Sequence, residues 1–347
     1  MSREDGVEMK RRFLLWALVV GCAVGAAVPL ATTASAGDTA VIRLAHLGPR
    51  GSSWDKIFRA WSNSAKKETN GAVKFRFYQG GVAGSERDVI RKMKAGQMDA
   101  AGLTSIGLGQ IARPVTIMQM PGIFANYKQL NSVRETMAPE FEKLFNESGY
   151  SLMGWGDAGF ARIFAKQPIL KPSDYKKVRP WVPKADPVTP EMMKMVGANG
   201  VSLGIPEVLP ALQTGMVDCV TASAVAAVAL QWVRHTTHMS ADANLAIVGA
   251  TVIKKDVMDK LAPDVREKLF ETGKKAHAAL VKQVQKEDKR AYKTLIKRGM
   301  IEFDPLADPK VAKEWNTMND ELLKKFTGRL WSKDLYAKVK AAAAKVK

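Results

Sequence analysis

Short apolar runs alternate with helical stretches from Ala40 onward, and this alternation constrains the fold more than any other feature of the chain. Residues 40–47 (Ala-Val-Ile-Arg-Leu-Ala-His-Leu) read as a first strand. Residues 54–69 read as a helix entered through the loop Gly48-Pro49-Arg50-Gly51-Ser52-Ser53, with Ser53 placed to cap it. The Asn70-Gly71 turn leads to a second strand over 73–78. A glycine-rich loop then opens a helix over 86–95 that Gly96 closes, and residues 98–103 form a third short strand. Strand–helix–strand repeats put helices on the faces of a mostly parallel sheet, so the fold class is α/β. Thr104 and Ser105 fall at the C-terminal end of the third strand, the edge at which open α/β sheets bind their ligands.

Downstream, the pattern predicts a helix over 128–148 and a strand over 150–155 that runs into Gly156-Asp157-Ala158-Gly159 as a crossing between lobes. A helix over 222–237 and a strand around 245–248 follow. Residues 263–298 read as one very long amphipathic helix whose charged face takes up most of the Lys clusters. Two more helices, over 311–327 and 332–347, end the chain. With 347 residues and 46% apolar content, the chain can bury the core of one large or two medium domains.

Lys10-Arg11-Arg12 precede an apolar run from Phe13 to about Leu30, and Ala34-Ser35-Ala36 supplies a small-residue cleavage site. Residues 1–36 are therefore read as a secretory signal peptide. The run is nearly long enough to span a bilayer, but Gly21, Gly25 and Pro29 interrupt it. Val19-Val20-Gly21-Cys22 offers a second outcome, lipid modification of Cys22 and a tethered protein. Cleavage after Ala36 leaves Cys219 alone, so no intramolecular disulfide can form, and its apolar neighbours make it a buried hydrophobe. The formal charge is +19; loss of residues 1–36 removes four basic and three acidic side chains and leaves +18, a field that draws in anions. The charges are spread along helix faces, without zinc-finger spacing, an RNP-like string or a basic tail interleaved with aromatics, which argues against nucleic acid. Four scattered His argue against a metal, Gly80-Gly81 lacks Walker A or dinucleotide-binding form, and no cofactor is expected.

The remaining signal lies between Gly159 and Cys219. Arg162 stands in Gly159-Phe160-Ala161-Arg162, and Arg179 in Lys177-Val178-Arg179-Pro180-Trp181. Ile205-Pro206-Glu207-Val208-Leu209-Pro210-Ala211-Leu212-Gln213-Thr214-Gly215 reads as a helix begun by Pro and closed by Gly. A guanidinium is suited to hold a carboxylate, because its planar fork makes two parallel hydrogen bonds. Together with Gly84-Ser85-Glu86 and Gly96-Gln97-Met98-Asp99, the Lys-x-Arg segment and the Leu-Gln-Thr-Gly-x-x-Asp string resemble the substrate-binding proteins of TRAP transporters, the DctP family. The resemblance runs from about Thr39 to the C-terminal helices.

That resemblance implies a two-lobed periplasmic binding protein fold, type II-like, with a long helix spanning both lobes. One lobe would comprise residues 38–157 plus about 250–297, the other 158–249 plus about 298–347. It implies that Arg179 makes the paired contact to a ligand carboxylate, with Arg162, Thr104, Ser105, Trp181, Glu86 and Ala222 at the pocket and Glu207 orienting an Arg beside it. Glu207 also suits its helix start for structural reasons alone, and Glu207 or Asp157 could equally be a buried partner of Arg162. The implied partners are a small organic anion and the membrane subunits of a TRAP permease, and the implied location is the periplasm.

The sequence departs from the family pattern where polar handles are usual. Ile205 and Leu209 replace an aromatic and a Tyr around Glu207, Ala222 stands where an Asn is usual, and Thr104 replaces a polar or acidic residue. The segment 179–196 is a few residues longer than usual and carries Pro180, Pro183, Pro187 and Pro190, which make it a stiff wall. Such a pocket suits a carboxylate or sulfonate on an apolar body, with Trp181 and Trp155 as stacking faces or, equally, as core residues. A sugar acid would leave hydroxyls unpaired. The expected function is an extracytoplasmic solute receptor and not an enzyme. One alternative is a carrier of a neutral apolar ligand or lipid on the same fold. Another is a secreted serine hydrolase, because Gly200-Val201-Ser202-Leu203-Gly204 matches a nucleophile elbow with Asp218, His235, His238 and Asp242 downstream. The elbow needs a helix directly after its Ser, and here the helix waits for Pro206.

Overall fold

A computed structural model of the chain describes residues 39–241 and 245–346. The order begins β1 (Ala40–His46), α1 (Ser53–Glu68), β2 (Val73–Tyr78), α2 (Glu86–Lys94), β3 (Ala100–Thr104), α3 (Ser105–Ile111). Next come α4 (Tyr127–Thr136), α5 (Ala138–Glu147), β4 (Tyr150–Ala165), β5 (Trp181–Pro183), α6 (Thr189–Met195), β6 (Val201–Leu203), α7 (Ile205–Thr214) and β7 (Cys219–Ser223). The chain closes with α8 (Ala224–Ala229), β8 (His238–Ser240), β9 (Leu245–Lys254), α9 (Lys255–Asp259), α10 (Pro263–Lys297), β10 (Ile301–Phe303), α11 (Pro309–Phe326) and α12 (Lys333–Ala344). The signal peptide, Cys22 and Asp242 lie outside the described residues.

Local chemistry sets the first third. β1 lies between β2 and β3 and is parallel to both, as the strand–helix alternation predicts. Ser52, not Ser53, caps α1: its hydroxyl accepts from the Asp55 amide, while Ser53 donates to Glu287 of α10 at 2.7 Å. Ser85 and Asp88 form a reciprocal capping box at the start of α2.

The rest of the main sheet is antiparallel at its centre. The strand order is β10-β8-β4-β9-β3-β1-β2 with β7 also on β4, and β9 pairs antiparallel with both β3 and β4. The expectation of a mostly parallel sheet missed this because β4 spans sixteen residues, through a stretch whose glycines read as a break. The register with β9 shifts at Gly154 and at Gly159. At Gly159 (φ +103°) an added Cβ would sit 2.6 Å from Ser223 Cβ, so only glycine lets β7 approach so closely. β5 and β6 form a separate parallel pair.

Two predicted helices change. The 128–148 stretch breaks at Met137 into α4 and α5, where Pro139 opens the second helix and disfavours continuation of the first. The 222–237 stretch is α-helical only over Ala224–Ala229, with a short 3-10 turn over Trp232–His235, because β7 runs on through Ala222 and the Ser223 hydroxyl then caps α8.

α10 is as long as the sequence predicts: 35 residues, or about 52 Å of helix. Polar side chains fix it along its length. Thr272 accepts from Trp61 at 3.2 Å, His277 bonds Thr251 at 2.7 Å, and Gln285 donates to Asp157 at 2.8 Å. Asp288 accepts from the Val225 amide and from Tyr127. Among the described residues no helix is long and apolar enough to cross a membrane.

Candidate ligand cavity

Ile42, Leu44 and His46 fall on one face of β1 and are all buried, and Ala45 on the other face is buried as well. The C-terminal end of β1, with the ends of β3 and β7 and the middles of β4 and β9, surrounds a cavity of about 230 Å³. A cavity of about 150 Å³ holds one benzene, so this one suits a substituted ring or a compact branched body. Its walls are mainly apolar, with Phe58, Trp181, Met192, Leu230, Trp232 and Leu280 among the larger groups. The chain around Gly81 and Gly204 packs tightly: a Cβ on Gly81 would meet Pro206 Cγ at 2.7 Å, and one on Gly204 would meet Ser85 Cβ at 2.8 Å.

Three carboxyl groups line the cavity, and the fold uses each of them. Glu86 accepts from the Thr104 amide, from Thr104 Oγ1 at 2.8 Å and from the Gly107 amide at 3.0 Å, which holds α3 against α2. Burial outweighs those bonds and holds its carboxyl up at about 7. Asp186 accepts from Gln119, from the Val188 and Thr189 amides and from the Thr189 hydroxyl; burial pushes it up as well. Asp157 forms a buried ion pair with Arg134 and accepts from Gln285. No Lys or Arg lines this cavity among the described residues.

The structure brings together part of the predicted set. Thr104, Ser105, Glu86, Trp181 and Ala222 all line the cavity, although Ser105 spends its proton on Gln119. Arg179, Arg162 and Glu207 do not line it. Arg179 is turned outward, its side chain 59% exposed, and holds Asp218 through its amide at 2.6 Å, Nε at 3.1 Å and Nη2 at 2.8 Å. Glu207 closes its own helix start, accepting from the Gly204 amide at 2.6 Å. Arg162 pairs with neither Glu207 nor Asp157. It donates to the carbonyls of Ser240 and Ala241 and lies 4.0 Å over the Tyr292 ring. A second cavity of about 110 Å³ touches Arg162 and shares Pro121, Met192, Thr221 and Leu245 with the first.

Trp155 packs 5.3 Å from Phe141 beneath the Arg134 guanidinium and does not line the cavity. Ser202 is exposed in the middle of β6, and α7 begins only at Ile205, so the strand-to-helix elbow is not formed. Cys219 is buried, and burial pushes its thiol far up.

His46 was not singled out from the sequence. It is 5% exposed and lines the cavity, its ring 4.8 Å from Phe58 and 6.3 Å from Phe77, and both ring nitrogens are buried without a hydrogen-bond partner. Burial pushes its pKa down to about 4. A period-two reading of β1 would have found it, because a polar residue follows two core residues on the same face.

With this geometry in hand, the chain can be set beside known proteins. The family model for DctP, bacterial extracellular solute-binding protein, family 7, matches residues 44–329. A solute-binding protein of Albidiferax ferrireducens is 25% identical over 263 residues, covering 72% of this chain and 76% of its own. A TRAP periplasmic solute binding protein from Ralstonia eutropha, solved with bound (S)-2-acetolactate, matches with a TM-score of 0.81 at 20% identity over 88% of this chain and 99% of that one. A Bordetella pertussis extracytoplasmic solute receptor binding pyroglutamic acid matches with a TM-score of 0.80 at 18% identity, over 88% and 100%. These likenesses show the two-lobed, type II-like α/β fold with its long helix.

Proposed function

The chain belongs to family 7 of the bacterial extracellular solute-binding proteins, and on that premise we propose that it is a periplasmic receptor for one compact organic acid with an apolar body, which it hands to a TRAP-type permease. The observation that carries the ligand class is the apolar cavity of about 230 Å³ with few polar handles. A sugar acid would leave several hydroxyls buried there without partners, each a lost pair of hydrogen bonds to water. Thr104 and Ser105 stand at its wall as polar groups, and Trp181 and Trp232 supply stacking faces.

The lobes in this reading are residues 38–157 plus about 250–297, and 158–249 plus about 298–347. Gln119 to Asp186 at 3.2 Å and the Gly81–Pro206 contact then join one lobe to the other, and a solute that touches both favours the closed form. Arg179 is not needed in this reading, because using it would mean breaking its bonds to Asp218.

A thermal-shift panel tests the reading. Aromatic and branched monocarboxylates should stabilise the protein by about 2.7 kcal/mol at a hundred times Kd, while sugar acids should do nothing. The shift should survive Arg179→Ala. Stabilisation by sugar acids alone, or its loss in Arg179→Ala, would overturn the assignment. An equal shift from the matching amide would assign a neutral solute instead.

A further inference from the structure

The outer face of α10 changes character halfway along. Its first half mixes signs, with Asp264, Glu267 and Glu271 among Arg266, Lys268, Lys274 and Lys275. Its second half carries Lys282, Lys286, Lys289, Arg290, Lys293 and Lys297, all exposed. At about 100° per residue these fall within one stripe of about 100°, opposite the buried Leu280, Val284 and Leu295. The two acids of this half are engaged by the fold. Glu287 accepts from Ser53 and Gln283, both at 2.7 Å, and buried Asp288 accepts from the Val225 amide and Tyr127. Among the described residues α10 makes one ion pair, Arg266 with Asp259, and the stripe makes none.

Such a stripe works against the helix that carries it. Lys282 and Lys286, Lys286 and Arg290, Lys289 and Lys293, and Lys293 and Lys297 are like charges four residues apart, and each pair repels across one turn. The helix dipole favours cations only in the last turn, so it accounts for Lys297 and not for the others. Solubility is served as well by the mixed charges of the first half.

The make-up of the stripe selects the kind of partner. Lys, the flexible point charge, supplies all of it except Arg290. No large apolar side chain is exposed along this half of α10 among the described residues. Protein interfaces are instead depleted of Lys and centred on aromatic, Met and Arg anchors. A straight row of mobile ammonium groups, about 22 Å long, fits a diffuse anionic plane. We propose that the second half of α10 rests on an anionic phospholipid surface and holds this receptor at the membrane face by charge alone. Leu280 reaches the ligand cavity from the opposite side of the same helix, so the stripe and the cavity do not compete for one face. The inference does not depend on which solute the cavity takes.

Vesicle binding tests it. The probe is a vesicle of phosphatidylglycerol and phosphatidylcholine in equal parts, with pure phosphatidylcholine as the reference. Residues 38–347 are used, because they form one compact unit and the apolar run over 13–30 would insert on its own. Each basic side chain near an anionic surface adds about a fivefold factor in affinity, and the effect fades within a Debye length, about 10 Å at 0.1 M salt. Expected is cosedimentation with the mixed vesicles at low ionic strength, lost as salt is raised, and none with the reference. Lys282→Gln, Lys286→Gln, Lys289→Gln, Lys293→Gln and Lys297→Gln combined keep the helix propensity and should weaken binding by about thirtyfold or more. Lys310→Gln, Lys313→Gln, Lys324→Gln, Lys333→Gln and Lys345→Gln remove the same charge from exposed positions on and beside α11 and α12, and should weaken it by less than about threefold. If the stripe variant does not fold, Lys286→Glu with Lys293→Glu, each flanked by cations four residues away, should weaken binding by about tenfold or more. No binding to the mixed vesicles at low salt would overturn the inference. Equal losses in the two Gln variants would overturn it too, by reducing the effect to net charge. Binding only to native membrane vesicles, abolished both in the stripe variant and by protease treatment of the vesicles, would give the stripe to a protein instead.

Discussion

The two walls of the cavity are built differently. The wall formed by β1, β3 and α3 is polar and local: Glu86 meets Thr104 and Gly107, and Ser105 meets Gln119, over separations of 14 to 21 residues. The wall formed by β5, β7 and α8 is apolar. Trp181 packs 5.2 Å from Trp232, and the nearby Arg179 turns away to Asp218, 39 residues on. A wall whose hydrogen bonds close within a single βα unit can be read from spacing. A wall assembled from distant segments cannot, because each side chain has several partners that would satisfy it equally well.

Four substitutions sharpen or break this contrast. Trp181→Ala should cost the most, about 3–5 kcal/mol in urea denaturation, since it empties a packed aromatic pair and leaves the Leu203 carbonyl without its indole donor. A loss under about 1 kcal/mol would mean that the apolar wall is loosely packed. Glu86→Gln tests the polar wall through pH. Below about 4.5 the Glu86 carboxyl is protonated in both folded and unfolded chains; between there and about 7 only the unfolded chain ionises. Wild-type stability should therefore fall by about 3 kcal/mol more than that of Glu86→Gln between roughly pH 4 and 8. A constant difference would refute the raised pKa. Glu207→Ala removes the acceptor for the buried Gly204 amide and should cost about 1 kcal/mol without altering solute affinity. Arg179→Ala should cost less than about 1 kcal/mol, as exposed ion pairs do, and a tenfold loss of solute affinity would put the Arg back in the site.

Much of the fold was legible. β2 falls on the predicted residues, α7 is begun by Pro206 and closed by a left-handed Gly215, and α10 ends within a residue of the expected position. The misreadings share a cause. Gly154, Gly156 and Gly159 lower strand propensity in β4, yet they are there to admit neighbouring elements that the linear pattern does not show. Ala222 looks helical beside the alanines of α8 and is a strand residue because β7 pairs with β4. For the site, Thr104 and Ser105 followed from a general property of α/β sheets. The direction of Arg179 depended on the bridge between Pro180 and Cys219 that brings Asp218 beside it.

The placement of β9 also bears on how the chain comes to be folded. β3 and β4 do not touch as strands; β9, residues 245–254, lies between them, and α9 and α10 follow it. A chain released N-terminus first can form β1, β2 and β3 early but cannot join them to β4 until those late residues emerge. The sheet is thus left incomplete through most of synthesis. A polypeptide that must stay threadable until its last third is made gains that property from the order of its strands alone.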